Sequence, residues 1–367
     1  MRSLIFNLFI GFLLLTRFAA SAQNVYTIAG RVTDESGSPL KNATVFISGS
    51  QKITACDGEG NFRFDHIDAG NYQLTVTMIG FATYSENVVV QTKSAEVDIK
   101  LKVKPTALAE VNVGHGKDHR DDYLKGFKEL FLGKSKNGKA CVLVNPQVIN
   151  FTTKKGVLYA DADDFLIIEN QRLGYHIKYL LKSFGYNSVT GITLYSGNTS
   201  FEPMRGTPQM QADWDKNRLE AYRGSMMHFL RAVYNHDVLK EGFIINPIIG
   251  DVNAYSDKRV YYDARPLRFD TLVHAIDSSF VSLKFGRVMY TYDPRKAAST
   301  KTNSPYVIRK LKTLDNSMTI IKLFSPQAVI DRTGAHQHFT DFLIEGKLAY
   351  DRVGDQLPFE YQPPAKN

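Results

Sequence analysis

The fold is decided by residues 28–81, which include IAGRVTDESGSPLKNATVFISGS (28–50) and TACDGEGNFRFDHIDAGNYQLTVTMIGF (54–81). Short runs rich in β-branched and aromatic residues are separated here by turn clusters such as ESGSP and DGEG. Apolar and polar residues alternate over Tyr72, Leu74, Val76 and Met78, as they do in strands that bury one face. The pattern predicts an all-β sandwich over residues 23–103.

These segments resemble the carboxypeptidase regulatory-like domain, which is a transthyretin-like, or prealbumin-like, sandwich of seven strands. Four sequence elements carry the resemblance in order: G-x-V-x-D, P-L-x-x-A-x-V, D-x-x-G-x-F and G-x-Y-x-L-x-V. Cys56 departs from it, because the family usually has threonine at this position. The family name does not imply peptidase activity. Metallocarboxypeptidases hold zinc with a His-x-x-Glu pair, and none of the nine histidines here is followed three residues later by glutamate.

The N-terminus predicts a secretory signal peptide over residues 1–22. Arg2 precedes an apolar run from Leu4 to Leu15, and Ala20-Ser21-Ala22 has the small residues of a cleavage site. The run is shorter than the roughly 20 residues that a helix needs to cross a bilayer, and no later segment is apolar enough to span one. We therefore predict an exported chain that begins near Gln23, has no transmembrane segment, and is periplasmic, associated with the outer membrane, or secreted.

The excess of basic over acidic residues lies in the second part of the chain. Residues 23–103 contain 7 basic and 9 acidic residues, whereas residues 104–367 contain 36 and 28. The basic residues are scattered, which favours a solvated surface over a patch for lipopolysaccharide phosphates or acidic glycans. Export also argues against a nucleic-acid partner. Disulfides persist outside the cytoplasm, so the sequence leaves open whether Cys56 and Cys141 form one or are two buried thiols.

Beyond the sandwich we predict a polar linker at residues 104–126 and a β-rich α+β domain at residues 127–367. A short helix is expected within YLKGFKELFLG (123–133), and one long helix from Asp213 to Lys240 that stops at Gly242. Segments such as GKACVLVNPQVINF resemble exported Gram-negative proteins that join this sandwich to an uncharacterised C-terminal region. That resemblance supplies no catalytic residues.

The predicted long helix contains EAYRGSMMHFLRAVYNHD (220–237), in which Ser225 and His228 lie three residues apart. A nucleophilic serine normally sits on an exposed, strained turn and takes its base from elsewhere in the chain. Apolar residues recur here at helical spacing, which favours core packing over catalysis. The predicted apolar face consists of Leu219, Tyr222, Met226, Phe229, Leu230 and Val233.

Three polar clusters were weighed as metal sites. His336 and His338 lie two apart, and on a strand both would face the same side, as in cupins. The cupin glutamate four or five residues later is missing, because Asp341 and Glu345 stand at three and seven. Neither the linker nor the DGEG turn has standard ligand spacing, so no metal or other cofactor is predicted. The residues concerned are His115, Asp118, His119, Asp121 and Asp122 in the linker, and Asp57 and Glu59 in the turn.

We predict a non-enzymatic envelope protein that acts by binding or assembly through its β-sandwich surfaces, with an envelope protein or a glycan as partner. No catalytic or cofactor-binding residue is assigned. The alternative is a hydrolase or metal-dependent enzyme whose site lies in the C-terminal domain around Ser225, His228 or His336. A deep pocket with convergent polar side chains would favour the enzyme, and a flat or edge-strand surface would favour binding.

Overall fold

The computed structural model describes residues 25–104, 119–249, 260–311, 317–338 and 341–365. It is mainly β with a few helices, as predicted. In these ranges, no helix combines the length and the apolar character that crossing a bilayer requires. The predicted signal peptide lies outside the described residues.

The N-terminal part is a sandwich of two sheets. One sheet has the order β4-β1-β7, with β8 also on β1, and the other has the order β3-β2-β5-β6. The short strands β7 and β8 follow one another along β1, both parallel to it, so together they take the place of the seventh predicted strand. The strands are β1 (Tyr26–Asp34), β2 (Thr44–Ile47), β3 (Ile53–Ala55), β4 (Asn61–Ile67), β5 (Gly70–Thr77), β6 (Tyr84–Val90), β7 (Ala95–Glu96) and β8 (Ile99–Leu101).

A third sheet follows, of order β10-β11-β13-β12-β9 with β14 also on β13. Helix α1 (Arg120–Phe131) covers one face of it, where Phe127 packs on Phe184 and Phe131 on Tyr179, each at 4.8 Å between ring centroids. The short helix predicted here is thus confirmed, although it begins inside the predicted linker. The strands are β9 (Cys141–Leu143), β10 (Ile149–Lys154), β11 (Val157–Ala162), β12 (Leu166–Asn170), β13 (Tyr175–Asn187) and β14 (Thr193–Pro203); α2 (Lys136–Lys139) precedes them, and Pro146–Val148 is a 3-10 turn.

The last part of the chain adds a sheet of order β20-β16-β15-β19-β21-β23 and a small sheet of order β17-β18-β22. Its core collects around Phe229, which stacks on Tyr290 at 5.1 Å. The strands are β15 (Phe243–Ile249), β16 (Val260–Asp263), β17 (Val273–Ala275), β18 (Phe280–Leu283), β19 (Arg287–Tyr292), β20 (Ile308–Leu311), β21 (Met318–Leu323), β22 (Ala328–Asp331) and β23 (Phe342–Gly346). The helical elements are α3 (Pro208–Tyr222), α4 (Met226–Tyr234), α5 (Pro294–Ala298) and the 3-10 turns Phe269–Leu272, Lys347–Tyr350 and Val353–Asp355.

The prediction of one long helix from Asp213 to Lys240 is wrong. The chain forms α3 and α4, separated by Gly224, whose φ is +75°. A side chain at Gly224 would begin 2.7 Å from the Tyr292 ring, so both the backbone conformation and the packing exclude larger residues. Within the predicted apolar face, Phe229, Leu230 and Val233 are each no more than 1% exposed and Tyr222 is also buried, whereas Leu219 and Met226 are only partly buried.

The two cysteines are free. Cys56 is buried in the sandwich, whereas Cys141 lies in β9 and its thiol donates a hydrogen bond to the Asn137 carbonyl at 3.4 Å. Burial raises the pKa of Cys56 to about 11 and that of Cys141 to about 12. Of the two alternatives left open by the sequence, the structure has the two separate thiols.

We expect Gly224→Ala to lower the free energy of unfolding by about 2 kcal/mol, because alanine resists this φ and meets Tyr292. Gly126→Ala is the matched control, since Gly126 lies inside α1 with open space around it. That change should stabilise the protein by about 0.5–1 kcal/mol. Urea denaturation of both variants measures the difference, and equal stabilities would contradict the assigned break between α3 and α4.

Candidate functional site

The turn between β2 and β3, residues 48–51, joins the sandwich to the rest of the protein. The Gly49 N–H donates to the Thr199 carbonyl at 2.7 Å, and the Phe201 N–H donates to the Ser50 carbonyl at 2.9 Å. On the other side of the turn, the Phe359 N–H donates to the Gly49 carbonyl at 2.9 Å. Backbone hydrogen bonds therefore hold the β2–β3 turn between β14 and residues 356–362, which we call the C-terminal segment.

Asp331 makes a second connection at this junction. Its carboxylate is 1% exposed, and one oxygen accepts the Asn71 N–H of β5 at 2.8 Å. The other oxygen accepts the Thr333 N–H and hydroxyl and the Ala335 N–H, at 2.8, 2.6 and 3.2 Å. Burial raises the pKa of Asp331, and the hydrogen bonds oppose that rise. One buried carboxylate thus orders its own turn and binds the sandwich.

Arg231 of α4 makes a third connection at this junction. Its buried guanidinium donates to the carbonyls of Thr333, Phe359 and Tyr361 at 2.9, 3.0 and 2.8 Å. The ring of Tyr222 lies 5.5 Å from the guanidinium carbon. Arg231 therefore holds the turn after β22 and the C-terminal segment against one helix.

A cleft of about 830 Å³ opens between these fixed elements. The sandwich contributes β5, β6 and the β2–β3 turn, and the rest of the chain contributes α4, the turn after β22 and the C-terminal segment. Clefts of this size at domain junctions are typical ligand sites. Six of the residues that line it carry side-chain amides and two carry aromatic rings: Asn71, Gln73, Asn87, Gln337, Gln356 and Gln362, with Tyr72 and Phe359.

Among these residues, Asn71 differs in the environment of its side-chain amide. Its side-chain oxygen and nitrogen are both buried, and neither has a hydrogen-bond partner among the described residues. Buried amides are normally paired with protein, water or ligand. The buried amide of Asn71 therefore has hydrogen-bonding capacity that the described residues leave unused.

The charged groups of the cleft are of both signs. Asp68 pairs with Arg332, and Glu360 accepts the Gln51 N–H at 3.1 Å. Asp351 is reached by water but surrounded by protein, and this desolvation raises its pKa to about 6. Lys347 and Arg352 oppose the rise, whereas Asp355 adds to it. The Asp351 carboxyl can therefore hold or release a proton near neutral pH.

Ser225 and His228 lie close together but have structural roles. The Ser225 hydroxyl caps α4 by accepting the His228 N–H at 3.2 Å. In the ring of His228, Nδ1 accepts the Gly224 N–H at 3.1 Å, and Nε2 lies 3.1 Å from Glu241 Oε2. Both ring nitrogens are thus engaged, which leaves neither to take a proton from Ser225.

The histidine pair also has local partners. His336 Nδ1 lies 2.7 Å from the His338 carbonyl, and the His336 ring packs edge-on against Phe342 at 5.1 Å. Asp341 Oδ2 accepts the His338 N–H and lies 3.7 Å from the His336 ring. Within the part of the chain that the structure describes, no three His, Cys, Asp or Glu side chains are grouped to hold a metal ion.

The other acidic clusters weighed from the sequence are local as well. Asp57 accepts the N–H groups of Glu59 and Asn61, so it orders the DGEG turn. His119 precedes α1, with its ring 3.7 Å from Asp122 in the first turn. His115 and Asp118 lie outside the described residues.

Comparison with known proteins gives one family. Residues 28–113 match the family model described as the CarboxypepD_reg-like domain. The predicted resemblance of the sandwich is confirmed. The match covers the sandwich and leaves most of the C-terminal region unassigned. No curated protein matches the chain.

Solved structures give remote likenesses. A type II cohesin–X-dockerin complex from Acetivibrio cellulolyticus contains a chain that is 24% identical; the match covers 21% of this protein and 56% of that chain, with a TM-score of 0.19. The minor pilin GBS52 of Streptococcus agalactiae is 18% identical over 22% of this protein and 46% of its own chain, with a TM-score of 0.19. A DUF3823 family protein from Bacteroides uniformis is 8% identical over 87% and 95%, with a TM-score of 0.18. This protein spans less than two thirds of the first two chains, and TM-scores this low support no argument about function.

Sequence reasoning missed the cleft and the residues that build it. In the segment DRTGAHQHF (331–339) the spacing of the histidines draws attention to metal binding, whereas the contacts to the sandwich come from Asp331, Arg332 and the Gln337 carbonyl. A local signal for Asp331 was present, because Asp-x-Thr-Gly is a typical turn whose aspartate accepts backbone N–H groups. Nothing in the sequence indicated that Asn71 supplies the fourth bond.

We expect Asp331→Ala to destabilise the protein by about 3 kcal/mol, because buried N–H and O–H groups lose their acceptor. Asp34→Ala is the matched control, since Asp34 accepts the N–H groups of Ser36 and Ser38 and the Ser36 hydroxyl in a surface turn. Water can replace that carboxylate, so its loss should cost about 1 kcal/mol or less. Urea denaturation decides between them, and equal costs would show that Asp331 does not hold the junction.

A second expectation concerns pH and Asp351. Because the folded pKa, about 6, lies above the ordinary aspartate value of 3.8, the folded state binds the proton more tightly than the unfolded state. Wild-type stability therefore falls as pH rises from about 4 to 6 on account of this group. Asp351→Asn should melt higher than wild type at pH 7.5, and the difference should shrink at pH 4. A difference in melting temperature that does not change with pH would contradict the assigned environment.

Proposed function

We propose that this protein is exported to the cell envelope and binds an uncharged glycan, without catalysis, in the cleft between the sandwich and the C-terminal region. The observation that carries the proposal is the cleft itself, which is about 830 Å³ and bounded by elements that backbone and buried side-chain bonds fix in place. A rigid cleft loses little conformational entropy when a ligand enters, which favours recognition of a defined ligand.

The chemistry of the lining supports a glycan. Sugar hydroxyls both donate and accept hydrogen bonds, and side-chain amides do the same. The exposed side chains of Gln356 and Gln362 fit that need. Tyr72 and Phe359 add aromatic surface for the apolar faces of sugar rings. Acids and bases are mixed, so the cleft has no field of one sign to select a strongly charged ligand.

One observation favours the alternative of a hydrolase. Asp351 lies in the cleft with a pKa of about 6, which suits a general acid acting on a glycosidic bond. The candidates weighed from the sequence do not contribute to this idea, since Ser225 and His228 are held by bonds of their own. The two functions differ in their products: a binding protein returns the glycan intact, whereas a hydrolase shortens it.

The proposal is tested by screening the protein against envelope and capsular saccharides and measuring the affinity of hits by calorimetry. Gln356→Ala combined with Gln362→Ala should weaken binding about tenfold or more, since each removes a hydrogen-bonding group at the cleft. Gln209→Ala is the matched control, because Gln209 is exposed on α3 and outside the cleft. The control should bind like wild type.

Absence of any saccharide ligand, or equal affinity of wild type and the double variant, would overturn the proposal. Incubation of each hit with the protein, followed by product analysis, separates the two functions. Cleavage that Asp351→Asn abolishes while binding persists would establish the hydrolase instead.

A further inference from the structure

Two hairpin turns lie side by side at one end of the third sheet, which contains β10, β11, β13 and β14. The β10–β11 turn contains Lys155 and Gly156, and the β13–β14 turn covers residues 188–192. The Ser188 N–H and hydroxyl both donate to the Gly156 carbonyl, at 3.2 and 3.0 Å. The two turns therefore form one surface, which we call the hairpin tip.

The hairpin tip exposes aliphatic side chains. Val189 is 87% exposed, Leu194 72% and Ile192 42%. Leu194 points away from the core because its neighbour Tyr195 points into it, packing on Phe131 at 5.2 Å. Leu194 shares its outward row with Gly185 and with Tyr159, which is 44% exposed.

The turn that carries Val189 is internally hydrogen-bonded. Asn187 Oδ1 accepts the N–H groups of Val189 and Thr190 at 2.9 and 3.1 Å. The Asn187 backbone bonds to Ile192 and Gly191 on the other side of the turn, at 3.0 and 2.8 Å. Val189 is therefore held in water by a formed turn, and folding the turn inward would break these bonds. Exposed aliphatic side chains at an ordered tip mark an interaction surface.

Basic residues flank the aliphatic ones. Lys154 and Lys155 are both exposed, and they directly precede Gly156 in the neighbouring turn. On β11, the acidic residue nearest to this turn is Asp161, four residues beyond Val157, which is about 13 Å along a strand. The end of the sheet thus presents protruding aliphatic side chains beside two lysines.

We propose that the hairpin tip inserts into the surface of a lipid bilayer that contains anionic headgroups. Val189, Ile192 and Leu194 enter the boundary between headgroups and acyl chains, while Lys154 and Lys155 contact lipid phosphates. Aliphatic burial and lysine–phosphate attraction are the two terms that bind peripheral proteins to such surfaces. The cleft is formed by other residues, so this inference does not depend on the proposed glycan.

The test is flotation of the chain from Gln23 onward with vesicles of phosphatidylcholine containing about 30% phosphatidylglycerol. Wild type should float with these vesicles and about tenfold less with phosphatidylcholine alone. Val189→Ser with Leu194→Ser should reduce flotation about tenfold, whereas Val144→Ser, at a site 51% exposed elsewhere, should not. Lys154→Glu with Lys155→Glu should reduce it similarly, whereas Lys41→Glu with Lys93→Glu should have a smaller effect.

No flotation of wild type, or equal flotation of the tip variants and their controls, would overturn the proposal. Sedimentation velocity in the absence of lipid tests whether the hairpin tip instead contacts a second copy of this chain. If Val189→Ser with Leu194→Ser converts an oligomer to a monomer, the tip is a contact between copies of this chain and the lipid assignment is wrong. Melting curves of all variants show whether a loss of flotation comes from unfolding.

Discussion

The architecture depends on one requirement, which is that the polar groups of a buried junction find partners. The turn of residues 48–51 bonds to β14 on one side and to Phe359 on the other. Asp331 and Arg231 pair further groups there, one as an acceptor and the other as a donor, while the side-chain amide of Asn71 has no partner among the described residues. Each unpaired group would cost about 1–3 kcal/mol, which is a large fraction of the stability of a typical domain. The junction is therefore made as a unit, and the cleft is the space that it leaves.

Much of the sandwich followed from the sequence because its signals are local. The alternation of apolar and polar residues over 72–78 predicts a strand, and the turn clusters predict where strands end. Each of these signals involves residues only a few positions apart. In the helical region, the spacing of apolar residues does not predict where one helix ends and the next begins. Apolar spacing continues in phase from Tyr222 to Met226, although Gly224 and Ser225 interrupt the helix between them. A glycine followed by serine was a readable sign of a stop and a new N-cap, but the uninterrupted apolar face concealed it.

The cleft could not be predicted in the same way. Its walls combine Asn71 with Asp331 and Gly49 with Phe359, pairs separated by about 260 and 310 residues. Whether a polar residue lies in water or in a buried network depends on such distant partners, which no local pattern encodes. Histidine is a common catalytic residue and metal ligand, but His228 and His336 each form a hydrogen bond with a residue that is near in the sequence. The residues that matter at the junction are an ordinary turn aspartate and a helix arginine.

The position of Phe359 has a consequence for how the protein matures. The β2–β3 turn is made early in synthesis, but its partner on the second side, Phe359, lies about 310 residues later in the chain. Contacts of such wide sequence separation form slowly, because a long loop must close first. A chain emerging N-terminus first therefore keeps this side of its sandwich open until residue 359 has been made. If the chain is exported as proposed, the junction, and with it the cleft, is completed only after residue 359 has crossed the membrane.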